Sequence, residues 1–97
     1  MRPAGPGQPL FRDLVIANKR GLHARAAARF VQCVERFDAV VTVSKDHASV
    51  DGTSIMGLMM LAAMPGSVIR VTAAGRQAAA ALAALVELID SRFGEDE

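Results

Sequence analysis

Apolar positions change their period several times along the chain, and each change marks an element. Leu10, Leu14 and Ile16 share one parity in a short run ending at Ala17, which predicts a strand with one buried face. Asn18-Lys19-Arg20-Gly21 then breaks it. From Ala24 onward Ala27, Phe30, Val31 and Val34 recur at helical spacing, and neither proline nor glycine intervenes before Phe37. A helix starting at His23 or Ala24 is the expectation. Val41 and Val43 alternate, joined by Ala39, and Ala48 to Val50 form a short third strand before Asp51-Gly52 turns the chain. These two runs read as a hairpin. A short second helix follows Ser54. Its Leu58, Leu61 and Ala62 are placed to face a sheet, while Ile55, Met56, Met59 and Met60 crowd the other side. Ser67 to Ala73, introduced by Pro65-Gly66 and closed by Gly75, is rich in β-branched residues and reads as the fourth strand. From Gln77 to Phe93 the set Leu82, Leu85, Val86, Ile89 and Phe93 gives a long final helix one apolar face. The order is β-α-β-β-α-β-α, an α+β arrangement. A four-stranded antiparallel sheet with three helices on one face buries all of these apolar surfaces at once.

Composition narrows the classes. With 97 residues there is room for one core, and the 52% hydrophobic content is inflated by alanine. No apolar run approaches the roughly 20 residues that cross a bilayer. Residues 1–9 hold three prolines and two glycines without the apolar stretch of a signal peptide, and read as a flexible tail. The folded domain is expected over 10–93, with an acidic tail over 94–97 and a cytoplasmic location. Cys33, the single cysteine, has no internal disulfide partner and fits a packed thiol in a reducing compartment.

The candidate chemistry lies in Gly21-Leu22-His23-Ala24-Arg25, where a histidine stands between a glycine turn and a helix start. An imidazole can act as a nucleophile near neutral pH, and the first backbone N–H groups of a helix favour anions. The pattern suits a histidine that carries phosphate, with the amides at Ala24 and Arg25 and the Arg25 side chain as phosphate ligands. By itself the histidine also fits a helix cap or a solvent-facing imidazole. Lys19, Arg20, Arg25 and Arg29 gather around it although 11 basic and 10 acidic residues leave a net charge of only +1. That local charge would steer an acidic partner surface, Arg20 included. His47 lies in the polar turn Lys45-Asp46-His47 and reads as surface. One cysteine and two histidines without ligand spacing build no recognisable metal site, and no glycine-rich nucleotide loop is present. No cofactor is expected. Nucleic-acid binding is rejected because the chain has no Trp or Tyr, only four Phe and no long basic stripe.

The stretch Asn18-Lys19-Arg20-Gly21-Leu22-His23-Ala24-Arg25-Ala26-Ala27 resembles the active-site motif of the HPr family, the histidine phosphocarriers of the bacterial phosphoenolpyruvate-dependent phosphotransferase system. A second block, Ser54-Ile55-Met56-Gly57-Leu58-Met59-Met60-Leu61, resembles the family's second helix, and the similarity covers roughly residues 10 to 93. The resemblance implies the open-faced β-sandwich fold. It also implies a carrier that forms a phosphohistidine, not a stand-alone enzyme. Phosphorylated enzyme I would donate to His23, at Nδ1 by family analogy, and an enzyme IIA-type acceptor would take the group, with Arg25 steadying the phosphate. A monomer is expected. Many members have proline where this chain has Ala26, which implies a slightly softer site.

The second helix carries two open alternatives. Ile55, Met56, Met59 and Met60 fit either methionine fill in a core or, as the resemblance implies, a docking patch for several partners. Ser54 fits an N-cap and also the family's regulatory phosphorylation site, served by an HPr kinase. Phosphate there would add about 1.5 to 2 negative charges beside the methionines. Asn18-Lys19 and the ending Asp90-Ser91-Arg92-Phe93 look closer to the nitrogen-related carriers. The competing function is a regulatory docking module controlled at Ser54, with little phosphotransfer through His23.

Overall fold

The computed structural model describes residues 8–95. Its elements follow the expected order: β1 (Leu10–Val15), α1 (Ala24–Val34), β2 (Val40–Lys45), β3 (Ala48–Asp51), α2 (Ile55–Met60), β4 (Val68–Ala74) and α3 (Ala78–Asp90), closed by a 3-10 turn at Arg92–Gly94. The four strands pair antiparallel in the order β1-β4-β2-β3. Period-2 alternation decides which face is covered. Ile69, Val71 and Ala73 of β4 and Val41 and Val43 of β2 are buried under the helices. The opposite parity leaves Val40, Val68, Phe11 and Val15 exposed on the open face. There Asp13 and Arg70 face each other across β1 and β4, joined by bonds of 2.8 and 3.1 Å, and the Arg70 guanidinium lies 4.2 Å from the centre of the Phe11 ring.

Phe30, Val34, Leu58, Leu85, Ile89 and Phe93 meet the inner face of the sheet in one core. Cys33 is packed among them, and burial pushes its thiol pKa up, with the nearby Arg36 charge opposing. Among the described residues no helix is long and apolar enough to cross a membrane.

Several boundaries differ from the sequence expectation. β1 ends at Val15, and Ile16 leaves the β1 ladder to exchange backbone bonds with Gly66 and Ser67 at 2.7 and 2.9 Å. α1 stops at Val34, although neither proline nor glycine intervenes before Phe37. Arg36 and Phe37 donate to carbonyls three residues back, at Cys33 and Val34, which tightens the turn that delivers the chain to β2. Ala62 does not face the sheet. It takes φ 53° just past α2 and is exposed. α3 ends at Asp90, because Arg92 and Phe93 enter the left-handed region at φ 58° and 56°; Phe93 thereby turns back into the core instead of continuing the helical stripe.

Gly21 shows how closely the loop before α1 is fitted. Its φ is +67°, and a Cβ there would press into the carbonyl oxygen of Ala63, the same oxygen that accepts the Leu22 N–H at 2.9 Å. Gly21→Ala is therefore expected to cost about 2–3 kcal/mol from left-handed strain and the weakened Leu22 bond. A urea midpoint equal to wild type would contradict this packing.

Candidate functional site

His23 is the N-cap of α1. Its backbone is extended at φ −82° and ψ −179°, and its Nδ1 accepts the Arg25 backbone N–H at 3.3 Å, so the ring is folded back over the helix start. Its carbonyl accepts the Ala27 N–H at 2.8 Å, which begins the helical ladder. The amides of Ala24, Arg25 and Ala26 precede that first intrahelical bond and lie at the positive end of the helix dipole. Ala26 is fully buried and, unlike a proline, keeps its backbone N–H. The cap reading and the site reading thus describe one conformation, since the nitrogen that caps the helix is held beside the donors that would receive a phosphoryl group.

The other face of the ring has a partner far along the chain. His23 Nε2 lies 2.7 Å from Glu95 Oε2, and Glu95 Oε1 accepts from Asn18 Nδ2 at 2.8 Å. Asn18 is fully buried and also donates to the Gly21 carbonyl at 2.7 Å. This residue, which reads in sequence as a strand breaker, ties the loop before α1 to the C-terminal turn. Neither role was visible in the spacing. Glu95 is 72 residues from His23 and stands in a run that reads as an acidic tail.

Burial works to raise the Glu95 pKa. The hydrogen bonds from His23 and Asn18, with the charges of His23 and Arg20, outweigh it and hold the carboxyl below its ordinary value. A carboxylate lowered in the folded state stabilises that state above the ordinary glutamate range, and the contribution is lost as pH falls through the lowered value. Carbon-13 titration is expected to place the Glu95 carboxyl midpoint below the roughly 4.3 of free glutamate. A midpoint at or above that value would show the contact to be weak in solution.

The remaining predicted residues are placed as follows. Arg25 and Arg20 are exposed beside His23. Arg29 belongs to the basic group in sequence but turns away, donating to the Phe93 carbonyl. Ile55, Met56, Met59 and Met60 are all exposed, Met60 at 78% and Met56 at 69%, so the core-fill alternative does not describe them. The segment after α2 abuts the site directly through the bond from Leu22 to Ala63. Ser54 is the N-cap of α2, its Oγ accepting the Gly57 N–H at 2.9 Å. His47 is exposed in the β2–β3 turn.

Comparison with known proteins bears on what such a histidine does. Residues 11–91 match the family model described as the PTS HPr component phosphorylation site. The chain is 48% identical over 88 residues to the phosphocarrier protein HPr of Neisseria meningitidis serogroup A, covering 91% of this chain and 99% of that protein. It is 38% identical over 86 residues to the phosphocarrier protein NPr of Shewanella violacea, covering 89% and 94%. The crystal structure of an HPr from Thermoanaerobacter tengcongensis superposes with a TM-score of 0.86 at 43% identity, covering 91% of this chain and 99% of that one.

Proposed function

The chain belongs to the HPr family of phosphocarriers of the phosphoenolpyruvate-dependent phosphotransferase system, and from that premise we propose that His23 Nδ1 takes a phosphoryl group from phosphorylated enzyme I and passes it to an enzyme IIA-type acceptor in a regulatory, nitrogen-related branch. The observation that carries this reading is the position of Nδ1. It is an acceptor at the start of α1, directly beside the backbone donors that a phosphoryl oxygen can replace it on. When Nδ1 bonds to phosphorus its lone pair is consumed, and the Arg25 N–H that it held is released to a phosphoryl oxygen. The amides of Ala24 and Arg25 and the positive end of the helix then stabilise the added negative charge. Arg25, exposed at the second position of α1, supplies a mobile cation to the same group. This stabilisation must stay modest, because a carrier that bound its phosphoryl group too tightly would not release it.

Arg20 and the exposed surface of Ile55, Met56, Met59 and Met60 form the docking face for both partners. Flexible thioethers suit an acidic donor and a differently shaped acceptor in turn. The setting is cytoplasmic. Ser54 offers a second input through an HPr kinase: a phosphate at an N-cap position is compatible with helix geometry, so its effect would fall on the adjacent methionine surface and not on the fold.

The branch assignment draws on Asn18-Lys19, the ending Asp90-Ser91-Arg92-Phe93 and the similarity to the Shewanella NPr. The phosphorylated chain is to be offered to a nitrogen-related IIA and to a sugar-type IIA in parallel, with transfer followed by intact mass. Faster transfer to the nitrogen-related acceptor is expected, whereas faster transfer to the sugar-type acceptor would assign the chain to sugar uptake. Partner binding that survives loss of His23 but is controlled by Ser54 phosphorylation would favour the docking-module alternative.

A further inference from the structure

Resting on the carrier reading above, we propose that Glu95 is a positioning residue for His23: its carboxylate holds the ring with the proton on Nε2, which leaves the Nδ1 lone pair free for phosphorus and keeps that proton in place while the phosphoryl group is carried.

Both ring contacts require the same arrangement. Glu95 Oε2, 2.7 Å away, accepts, so Nε2 donates; the Arg25 N–H donates at 3.3 Å, so Nδ1 accepts. The carboxylate is itself fixed from two sides. Its Oε1 takes one Asn18 Nδ2 hydrogen at 2.8 Å, and the other goes to the Gly21 carbonyl at 2.7 Å. Both of those partners are acceptors, so the Asn18 amide can stand only one way round. From the chain side, the Glu95 N–H donates to the Arg92 carbonyl at 3.0 Å, Phe93 is anchored in the core, and Arg29 holds the Phe93 carbonyl. The left-handed run at Arg92, Phe93 and Gly94 is what turns the carboxylate toward the ring. Imidazole held at one nitrogen by a carboxylate, with the other left to react, is the division of labour used wherever a carboxylate orients a catalytic histidine.

The electron balance shows what the contact does. In the loading step the donor–phosphorus bond breaks with its electron pair going to the donor, and the Nδ1 lone pair forms the new N–P bond. The ring becomes cationic with its proton still on Nε2, facing Glu95. In the unloading step the acceptor's nucleophile bonds to phosphorus and the Nδ1–P pair returns to the ring, so neutral imidazole leaves. Were the Nε2 proton lost in between, imidazolate would have to leave, a far poorer leaving group. The charged groups closest to the ring along the chain are Arg20 from the preceding loop and Arg25 from α1, with Glu95 from the C-terminal turn, whereas Arg29 turns away to the Phe93 carbonyl. On the α2 side, uncharged Ala63 and Met64 pack against Gly21 in the loop that precedes the histidine. Arg20 and Arg25 both oppose a cationic ring, and Glu95 is the carboxylate in contact with it among the described residues.

The test uses water as acceptor, so that no partner has to be identified. Wild type, Glu95→Gln and Glu95→Ala are loaded with phosphoenolpyruvate, magnesium and enzyme I, and hydrolysis of the phosphoryl group is followed by intact mass from acid to alkaline pH. Both variants are expected to lose the group about tenfold more slowly than wild type at alkaline pH, where a charge-assisted bond is needed to keep the Nε2 proton, with the gap closing toward acid. Equal profiles, or the same slowing at every pH, would overturn the role of Glu95 while leaving the carrier reading intact. A wild-type chain that takes no phosphoryl group would remove the carrier reading and this inference together.

Discussion

A His23→Asn variant is expected to fold and to accept no phosphoryl group from enzyme I, while wild type gains one acid-labile group under the same conditions. Asparagine is chosen because the proposed function gives His23 a second task beside capping. Its Nδ1 caps α1 by accepting the Arg25 N–H, and alanine would remove the cap together with the nucleophile. An asparagine side-chain oxygen is among the best N-caps, so the variant should remain within about 1 kcal/mol of wild type even though the Nε2 contact to Glu95 is lost. Intact mass with phosphoenolpyruvate, magnesium and enzyme I reads the first effect, and a thermal melt reads the second. Phosphorylation that persists in a folded His23→Asn chain would show that another residue carries the group, and the proposed function would fail.

Phe30→Ala is expected to cost about 3–5 kcal/mol, the largest single loss of stability among the substitutions considered. Phe30 is fully buried on α1, in the core shared with Leu58, Leu85 and Ile89. Removing its ring leaves a cavity that the neighbouring sheet cannot collapse to fill. For a domain whose whole stability is about 5–15 kcal/mol, that is a large share. The loss should also reach the site. α1 is docked by this face, and its N-terminus sets the amides around His23, so the variant should fall in urea midpoint and, where still folded, load more slowly. Phe30→Leu, which retains most of the volume, should cost only about 1 kcal/mol. A Phe30→Ala midpoint close to wild type would mean that the helix is held chiefly by other contacts.

The layout of the fold was open to reading because its elements are amphipathic and short. Alternation in Val41-Thr42-Val43 and helical spacing in Ala27, Phe30, Val31 and Val34 each force one face inward, and only a few layer arrangements satisfy every face at once. His23 was legible for a related reason: capping is local chemistry, and Gly21-Leu22-His23 shows it within a few residues. Boundaries were less legible. Phe93 has the spacing of a final helical turn, yet it reaches the core by a left-handed turn, since periodicity records which residues are apolar and not by what backbone path they become buried.

By itself, then, the sequence determined the order of the elements and the buried faces of the strands and of α1, and it marked His23 at the start of α1 as the candidate site, all of which depend on neighbours within a turn or two of chain. Only the tertiary structure decided that Asn18 is a buried strut, that Arg29 serves the C-terminal turn and not the basic patch, and that Glu95 closes on His23 from 72 residues away. Such contacts leave no period in the sequence. They arise when packing of the sheet and helices brings distant ends together, and there the physics of a hydrogen-bonded carboxylate depends on distance in space alone.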